Sequence, residues 1–262
     1  MLQDKFFLRK RIQSILLITV LLAITYGAII ITEYDIVHGF TSFPKAIAWG
    51  LTNFYPTEAS LEKLPNIMEK LIETVLISVA AATLASIFAL VFSLFGSKTT
   101  QLNGFMSTIS RGIATLFRNI DVAVWSLILL FSFGQSALTG FFALFFVSFG
   151  FLTRAFIETI DEVGGGSVEA LQATGASYTS TIAHSVIPSS IPQMMSWLLF
   201  MVETNIRSAT LVGILTGTGI GFSFDLYYKG LDYNSASLVV IVILLTILCL
   251  EIISNYVRRV IL

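Results

Sequence analysis

The sequence predicts an all-α, polytopic membrane protein with six transmembrane helices, and two observations carry that prediction. Of 262 residues, 55% are hydrophobic and 12% charged, with a mean hydropathy of +0.86. A soluble domain carries roughly a quarter charged residues, so this chain has too few charges to cover its outside in water and must present much of it to lipid. The apolar residues also fall into long runs separated by the charges.

The first run, Ile12 to Thr32, has no charge and covers about 31 Å as a helix, enough for the hydrocarbon core. It follows Lys5, Arg9, Lys10 and Arg11, exceeds a signal-peptide core and ends without a small-residue cleavage pattern, so it reads as an uncleaved span. Residues 33–70 carry Glu33, Asp35, Pro44, Pro56, Glu58, Glu62 and Pro65, which predicts a loop with a short amphipathic helix near Phe43 to Phe54. The second span is expected at Thr74 to Gly96. A mixed stretch from Gln101 to Arg118 precedes a third near Val122 to Phe133, and a fourth covers Leu138 to Phe156. A polar insert follows, 158–188, with Gly164-Gly165-Gly166 and no Lys or Arg. The fifth span is expected at Met194 to Leu215 and the sixth at Ala236 to Tyr256. The chain thus divides into an N-terminal span with its loop, 1–69, and a transmembrane domain, 70–256.

Six crossings place both termini on one side. Ten basic residues fall there (Lys5, Arg9, Lys10, Arg11, Lys98, Arg111, Arg118, Arg154, Arg258, Arg259) against four opposite (Lys45, Lys63, Lys70, Lys229), with Arg207 inside span five. The excess of basic residues on the cytoplasmic side of membrane proteins makes the termini and the insert cytoplasmic.

The catalytic inventory is thin. Gly96-Ser97-Lys98-Thr99 lacks the earlier glycine of a phosphate loop, and Gly213, Gly217, Gly219 and Gly221 lack dinucleotide-binding spacing. His38 and His184 are predicted on opposite sides of the membrane, so they share no metal; Cys249 is a lone thiol in an apolar run, and a net charge of −1 gives no basic bias toward nucleic acid. The expected chain is not an enzyme and binds no cofactor itself.

Two segments carry more specific signals. In the insert, Glu169-Ala170-Leu171 leads to Thr174-Gly175-Ala176 and on to Ile187-Pro188, which reads as a short helix broken at Gly175 and a second stretch closed by Pro188. Inside span five, Glu203 and Arg207 stand four residues apart and share a helix face. They either pair with each other or line a solute path, where a guanidinium fork suits an oxyanion. Asn205 lies on a different part of that helix surface.

The first segment resembles the cytoplasmic coupling motif of ABC importer permeases, with Glu169, Ala170, Gly175, Ile187 and Pro188 matching, Leu171 for the second alanine and Ser185 for the usual isoleucine. Glu203-Thr204-Asn205-Ile206-Arg207-Ser208-Ala209-Thr210, with Gly213, Gly219 and Gly221, is similar to the core of phosphonate-type permeases, as are Arg118-Asn119 and Arg258-Arg259. The resemblance implies a type I importer permease fold in the bacterial inner membrane, carrying a phosphonate, phosphite or phosphate. Its implied partners are a second permease chain, ATPase subunits holding ATP and Mg, and an extracytoplasmic solute-binding protein. It makes Glu169, Ala170, Leu171, Thr174, Gly175 and Ala176 the ATPase-coupling residues. Glu203, Asn205, Arg207, Ser208, Thr210, Gly213, Gly219 and Gly221 become candidates for the path or gate. A permease for another small solute, or a secondary transporter, is the alternative; the latter needs no coupling motif.

Overall fold

The computed structural model describes residues 2–163 and 165–261; Met1, Gly164, Leu262 and the side chains of residues 2–6, 8, 167, 172 and 261 lie outside the described residues. The described residues are mostly helical, with no strand among them, and form two compact units, Met1–Asn53 and Phe54–Leu262.

The first unit holds α1 (Leu2–Ile31) and α2 (Ile36–Asn53). The Asp35 carboxylate accepts the His38 N–H at 2.9 Å and so caps α2. The helix runs through Pro44 and begins earlier than the expected Phe43.

The second unit opens with α3 (Glu58–Leu61) and α4 (Leu64–Gly96). The loop expected over residues 33–70 is therefore largely helical, and α4 enters ten residues before the expected Thr74. Its early start is fixed at Lys63, whose Nζ binds Asp232 Oδ2 at 2.5 Å, and by Pro65 in the first turn, where a missing N–H costs nothing. Then follow α5 (Gly104–Asn119), α6 (Val122–Phe133) and α7 (Ala137–Val163). The third span expected at Val122 to Phe133 is α6, only about 18 Å long and too short to cross alone. It joins α5 across a 91° bend, and only together do the two reach the length and apolarity of a span. Five helices are long and apolar enough to cross a membrane, or six with this bent pair.

The expected polar insert is mostly helix. The fourth span continues through α7 to Val163, followed by α8 (Gly165–Ala173) and α9 (Tyr178–Thr181). From α9 the chain passes through a π-helical turn, Ile182–Val186, directly into α10 (Ile187–Thr216). Pro188 therefore closes no helix: it sits in the first turn of α10. Its ring would collide with the carbonyl of His184, and the wider π turn that contains His184 relieves that collision. Two elements remain, α11 (Gly219–Lys229) and α12 (Tyr233–Ile261).

Packing centres on α4, α7 and α10. Ala82, Ala85 and Ala89 of α4 are fully buried against Phe149, Leu152 and Phe156 of α7 and Met194 and Met201 of α10. Small residues on one helix let the large ones of its neighbour approach closely, the usual solution where lipid offers no hydrophobic drive between helices. Gly150, the midpoint of α7, extends this to backbone contact. A Cβ there would lie 2.4 Å from the Arg118 backbone nitrogen of α5.

Candidate functional site

The short helix α8 is fastened by one side and free on the other. Val168 is 5% exposed and belongs to the main core with Phe156, Ile160 and Val186. Glu169 and Ala170 face outward, and Leu171 is half-buried. The helix stops in a glycine-dependent motif: the Ala176 N–H donates to Leu171 O at 3.2 Å, and Gly175 between them holds φ +80°. That is a Schellman closure, which needs a left-handed residue where glycine stands. The Thr174 hydroxyl adds a bond to Leu171 O at 2.7 Å. Thr174 and Gly175 are exposed, and Ala176 is half-buried.

A polar clamp flanks α8. Asp161 Oδ1, near the end of α7, accepts the Ser97 hydroxyl at 2.5 Å and the Thr99 N–H at 3.2 Å. Arg111 donates to Gly96 O at 2.7 Å and approaches Asp161 Oδ2 at 3.4 Å. Beyond α8, the Tyr178 hydroxyl donates to Thr100 O at 2.7 Å. The loop 97–100 thus grips the chain on both sides of the short helix. Neither Asp161 nor Tyr178 was singled out by the sequence, because their partners lie 64 and 78 residues away.

The residues of α10 separate onto different faces. Glu203 and Arg207 form an ion pair, and Arg258 of α12 approaches Glu203 at 3.9 Å. Glu203 is nearly enclosed, whereas Arg207 is half exposed and lines a groove of about 430 Å³ with Thr210 and the α12 residues Val240, Ile243, Leu244 and Leu248. Asn205 faces the opposite way, only 2% exposed, and exchanges hydrogen bonds of 2.8 and 3.1 Å with the fully buried Ser148 of α7. Ser208 is half-buried.

The glycines close a tight turn between α10 and α11. Gly217 and Gly219 have φ +69° and +63°, and the Ile220 N–H donates to Thr74 Oγ1 of α4 at 2.8 Å. A Cβ on Gly221 would sit 1.9 Å from Thr210 O, and one on Gly213 2.5 Å from Thr218 O. These glycines permit backbone-to-backbone contact. Among the described residues no group of three His, Cys, Asp or Glu is placed to hold a metal.

Solved structures share this fold. The fold matches a chain of an amino acid ABC transporter with a TM-score of 0.66 over 77% of this chain and 96% of that one, at 16% identity. It also matches a chain of the MetNI methionine ABC transporter, in inward-facing conformations, at 0.63 over 75% and 98%, again at 16% identity. This is the type I ABC importer permease fold, in a multi-pass membrane protein. Residues 89–261 match the model of the binding-protein-dependent transport system inner membrane component, and the chain belongs to that family. It is 27% identical over 73% of its length to the phosphate-import permease protein of Mycolicibacterium smegmatis, of which the match spans 36%. It is also 27% identical to the phosphite transport system permease protein of Stutzerimonas stutzeri, over 72% of this chain and 69% of that one. A shorter protein of Escherichia coli K12 named for a cryptic phosphonate transport system is 31% identical over 45% of this chain and 96% of its own.

Proposed function

We infer that this chain is the membrane-spanning subunit of an ATP-driven importer and passes a phosphorus oxyanion (phosphonate, phosphite or phosphate) into the bacterial cytoplasm. The observation that carries the solute class is that relatives aligned over most of the chain are named for phosphate and phosphite transport. What supports the drive is α8: it is anchored by Val168, ended by a rigid glycine motif and turned outward along Glu169 and Ala170. Such a helix suits docking in a groove of a separate ATPase that holds ATP and Mg. Two permease chains, two ATPases and an extracytoplasmic solute-binding protein make the working assembly, with both termini cytoplasmic. Arg118 and Arg154 lie within helices α5 and α7 rather than in loops, and without them eight basic residues against four still support that orientation.

In this reading closure of the ATPases pushes α8 toward the membrane. The clamp on either side of α8 passes the displacement to α4, α7 and α10. The path then opens outward to receive the solute released by the binding protein. Hydrolysis returns the inward-facing state.

The test replaces the exposed Cys249 by serine and places a single cysteine at Glu169 or Ala170. Expected is a disulfide or short cross-link to the co-expressed ATPase, together with uptake of labelled phosphite, phosphate or methylphosphonate by the reconstituted complex. Labelling of position 169 from the external face, or absence of any cross-link in an assembly that hydrolyses ATP, refutes the docking role. Failure to take up all three anions refutes the solute class alone.

A further inference from the structure

The break between α5 and α6 leaves two arginines in one polar cleft at the middle of the membrane domain. Arg118 and Asn119 end α5, Arg154 belongs to α7, and together with Ala114 and Thr115 they line a cleft of about 230 Å³. Its height follows from two contacts. Arg118 packs by its backbone against Gly150, the midpoint of the 27-residue α7. Asp161, at the polar clamp, lies about 16 Å further along that helix at 1.5 Å per residue. Arg118 therefore lies level with the middle of α7, and its side chain is exposed on the surface of this single chain.

The charge balance of the cleft is unsatisfied. Arg154 Nε binds Glu158 Oε1 at 2.7 Å. Arg118 has no hydrogen bond or ion pair among the described residues. Asn119 spends one amide hydrogen on Thr115 O at 2.8 Å and keeps its other polar positions. Asp121 does not neutralise Arg118; its carboxylate caps α6 by accepting the Ala123 N–H at 2.8 Å. Two guanidinium groups against one carboxylate leave one positive charge. A charge at that depth costs a few kcal/mol when it faces lipid, so it belongs against water or a counter-charge. Breaks in membrane helices at mid-depth are also where transporters expose polar groups to their solute.

We propose that Arg118, with Arg154 and Asn119, forms an anion subsite on the translocation path that takes the phosphate-type oxygens of the solute in transit. The proposal rests on the importer reading above and moves the solute contact to a place the motif in α10 did not indicate. The Arg207 guanidinium is already paired with Glu203 beside an apolar groove, whereas Arg118 is available. A guanidinium fork meets two oxygens of an oxyanion at once, Asn119 adds its second amide hydrogen, and Glu158 keeps Arg154 oriented without consuming its second edge; the Thr115 hydroxyl is already donated to Arg111 O at 2.7 Å and only lines the cleft.

The experiment uses the assembled complex with its ATPase and binding protein in liposomes, and follows uptake of labelled phosphite, phosphate and methylphosphonate. Expected for Arg118→Gln is a loss of uptake of roughly tenfold or more, as one charge-assisted contact disappears from the passage. Ligand affinity of the binding protein and ATP hydrolysis stimulated by it should persist, and Arg118→Lys should recover part of the rate. A wild-type complex that carries none of the three anions defeats the solute assignment. Wild-type uptake with an equally active Arg118→Gln defeats the subsite alone. Two further arms separate other occupants of the same chemistry. If wild-type uptake depends on phosphatidylglycerol and Arg118→Gln differs from it only in that lipid, the cleft holds a lipid headgroup and the proposal falls. If Arg118→Gln lowers the yield of paired permeases instead of the rate per complex, the arginine meets a carboxylate of the second chain, and the proposal falls equally.

Discussion

Replacing Asn205 by alanine distinguishes a residue that holds the bundle together from one that meets solute. Its amide and the Ser148 hydroxyl exchange two hydrogen bonds between α10 and α7, with both residues buried. Interhelical hydrogen bonds inside membranes average about 0.6 kcal/mol and reach about 1.7. Truncation also leaves a small void beside a close-packed seam, which raises the expected loss to about 2 kcal/mol. Ser148 can recover part of this by turning to its own helix, as Ser126 does to Val122 O at 2.8 Å. The converse variant, Ser148→Ala, has no such relief, because the amide of Asn205 is left without a partner in the core. The double variant should then be less destabilised than the two single losses predict, by about 1 kcal/mol. Thermal unfolding of the purified complex reads the stability, and uptake per assembled complex reads the function. Strict additivity, or an Asn205→Ala complex of normal stability with impaired uptake, would refute the structural assignment.

Two further outcomes follow from the geometry. Gly175 has φ +80° with no atom within 4 Å of where a Cβ would stand. A side chain there therefore costs about 1 kcal/mol of backbone strain but no collision within the chain. Gly175→Asn, which tolerates that conformation, should keep most uptake. Gly175→Leu should lose uptake together with stimulated ATP hydrolysis because it crowds the docked ATPase; equal activity of the two removes the docking argument. At the opposite end, burial raises the Asp232 carboxyl. The Lys63 ammonium and the Ser235 hydrogen bonds outweigh it, and the net shift is below the usual carboxylate range. A carboxylate lowered by folding contributes stability above its unfolded pKa of about 4, and that contribution disappears as pH falls through the lower folded value. Both partners are partly exposed, so Asp232→Asn should cost at most about 1 kcal/mol at neutral pH. Unfolding midpoints below pH 4 should converge with wild type, and a gap that widens in acid contradicts the assignment.

The spans were legible from the sequence because each long uncharged run must be satisfied as helix in lipid. Their ends were not, since polar residues continue the helices wherever a distant group accepts them. Asp161 prolongs α7 because Ser97, Thr99 and Arg111 meet it, and Asp232 anchors the start of α4 through Lys63. The first half of the bent α5–α6 pair was read as a mixed stretch for the same reason. Ser107 and Ser110 look like loop residues, yet their hydroxyls donate to Gly96 O and Phe92 O of α4, at 3.0 and 2.6 Å. The Glu203–Arg207 pair was readable from its four-residue spacing alone. Asn205 was not assignable, because its partner is 57 residues away and nothing local marks it. Arg118 was counted among loop charges because α5 was not recognised as a helix, and only Gly150 reveals its depth.

The position of the polar clamp bears on how a push on α8 would travel. Asp161 and Tyr178 stand on either side of α8 in the chain, and both bind one loop, the turn that ends α4. Moving α8 by itself would break bonds on both flanks, including one to a partly buried carboxylate. Hydrogen bonds to charged groups are worth about 1.5–3 kcal/mol, so α8, the end of α7, the start of α9 and the end of α4 should shift together. From that body α4 and α7 run side by side through the core, and α10 leaves it through a π turn whose looser register absorbs a bend. The membrane helices would therefore tilt as a connected set, with bending concentrated at that turn and at the α5–α6 break. The break carries Arg118 with it, so displacement at the short helix would change what the mid-depth cleft faces.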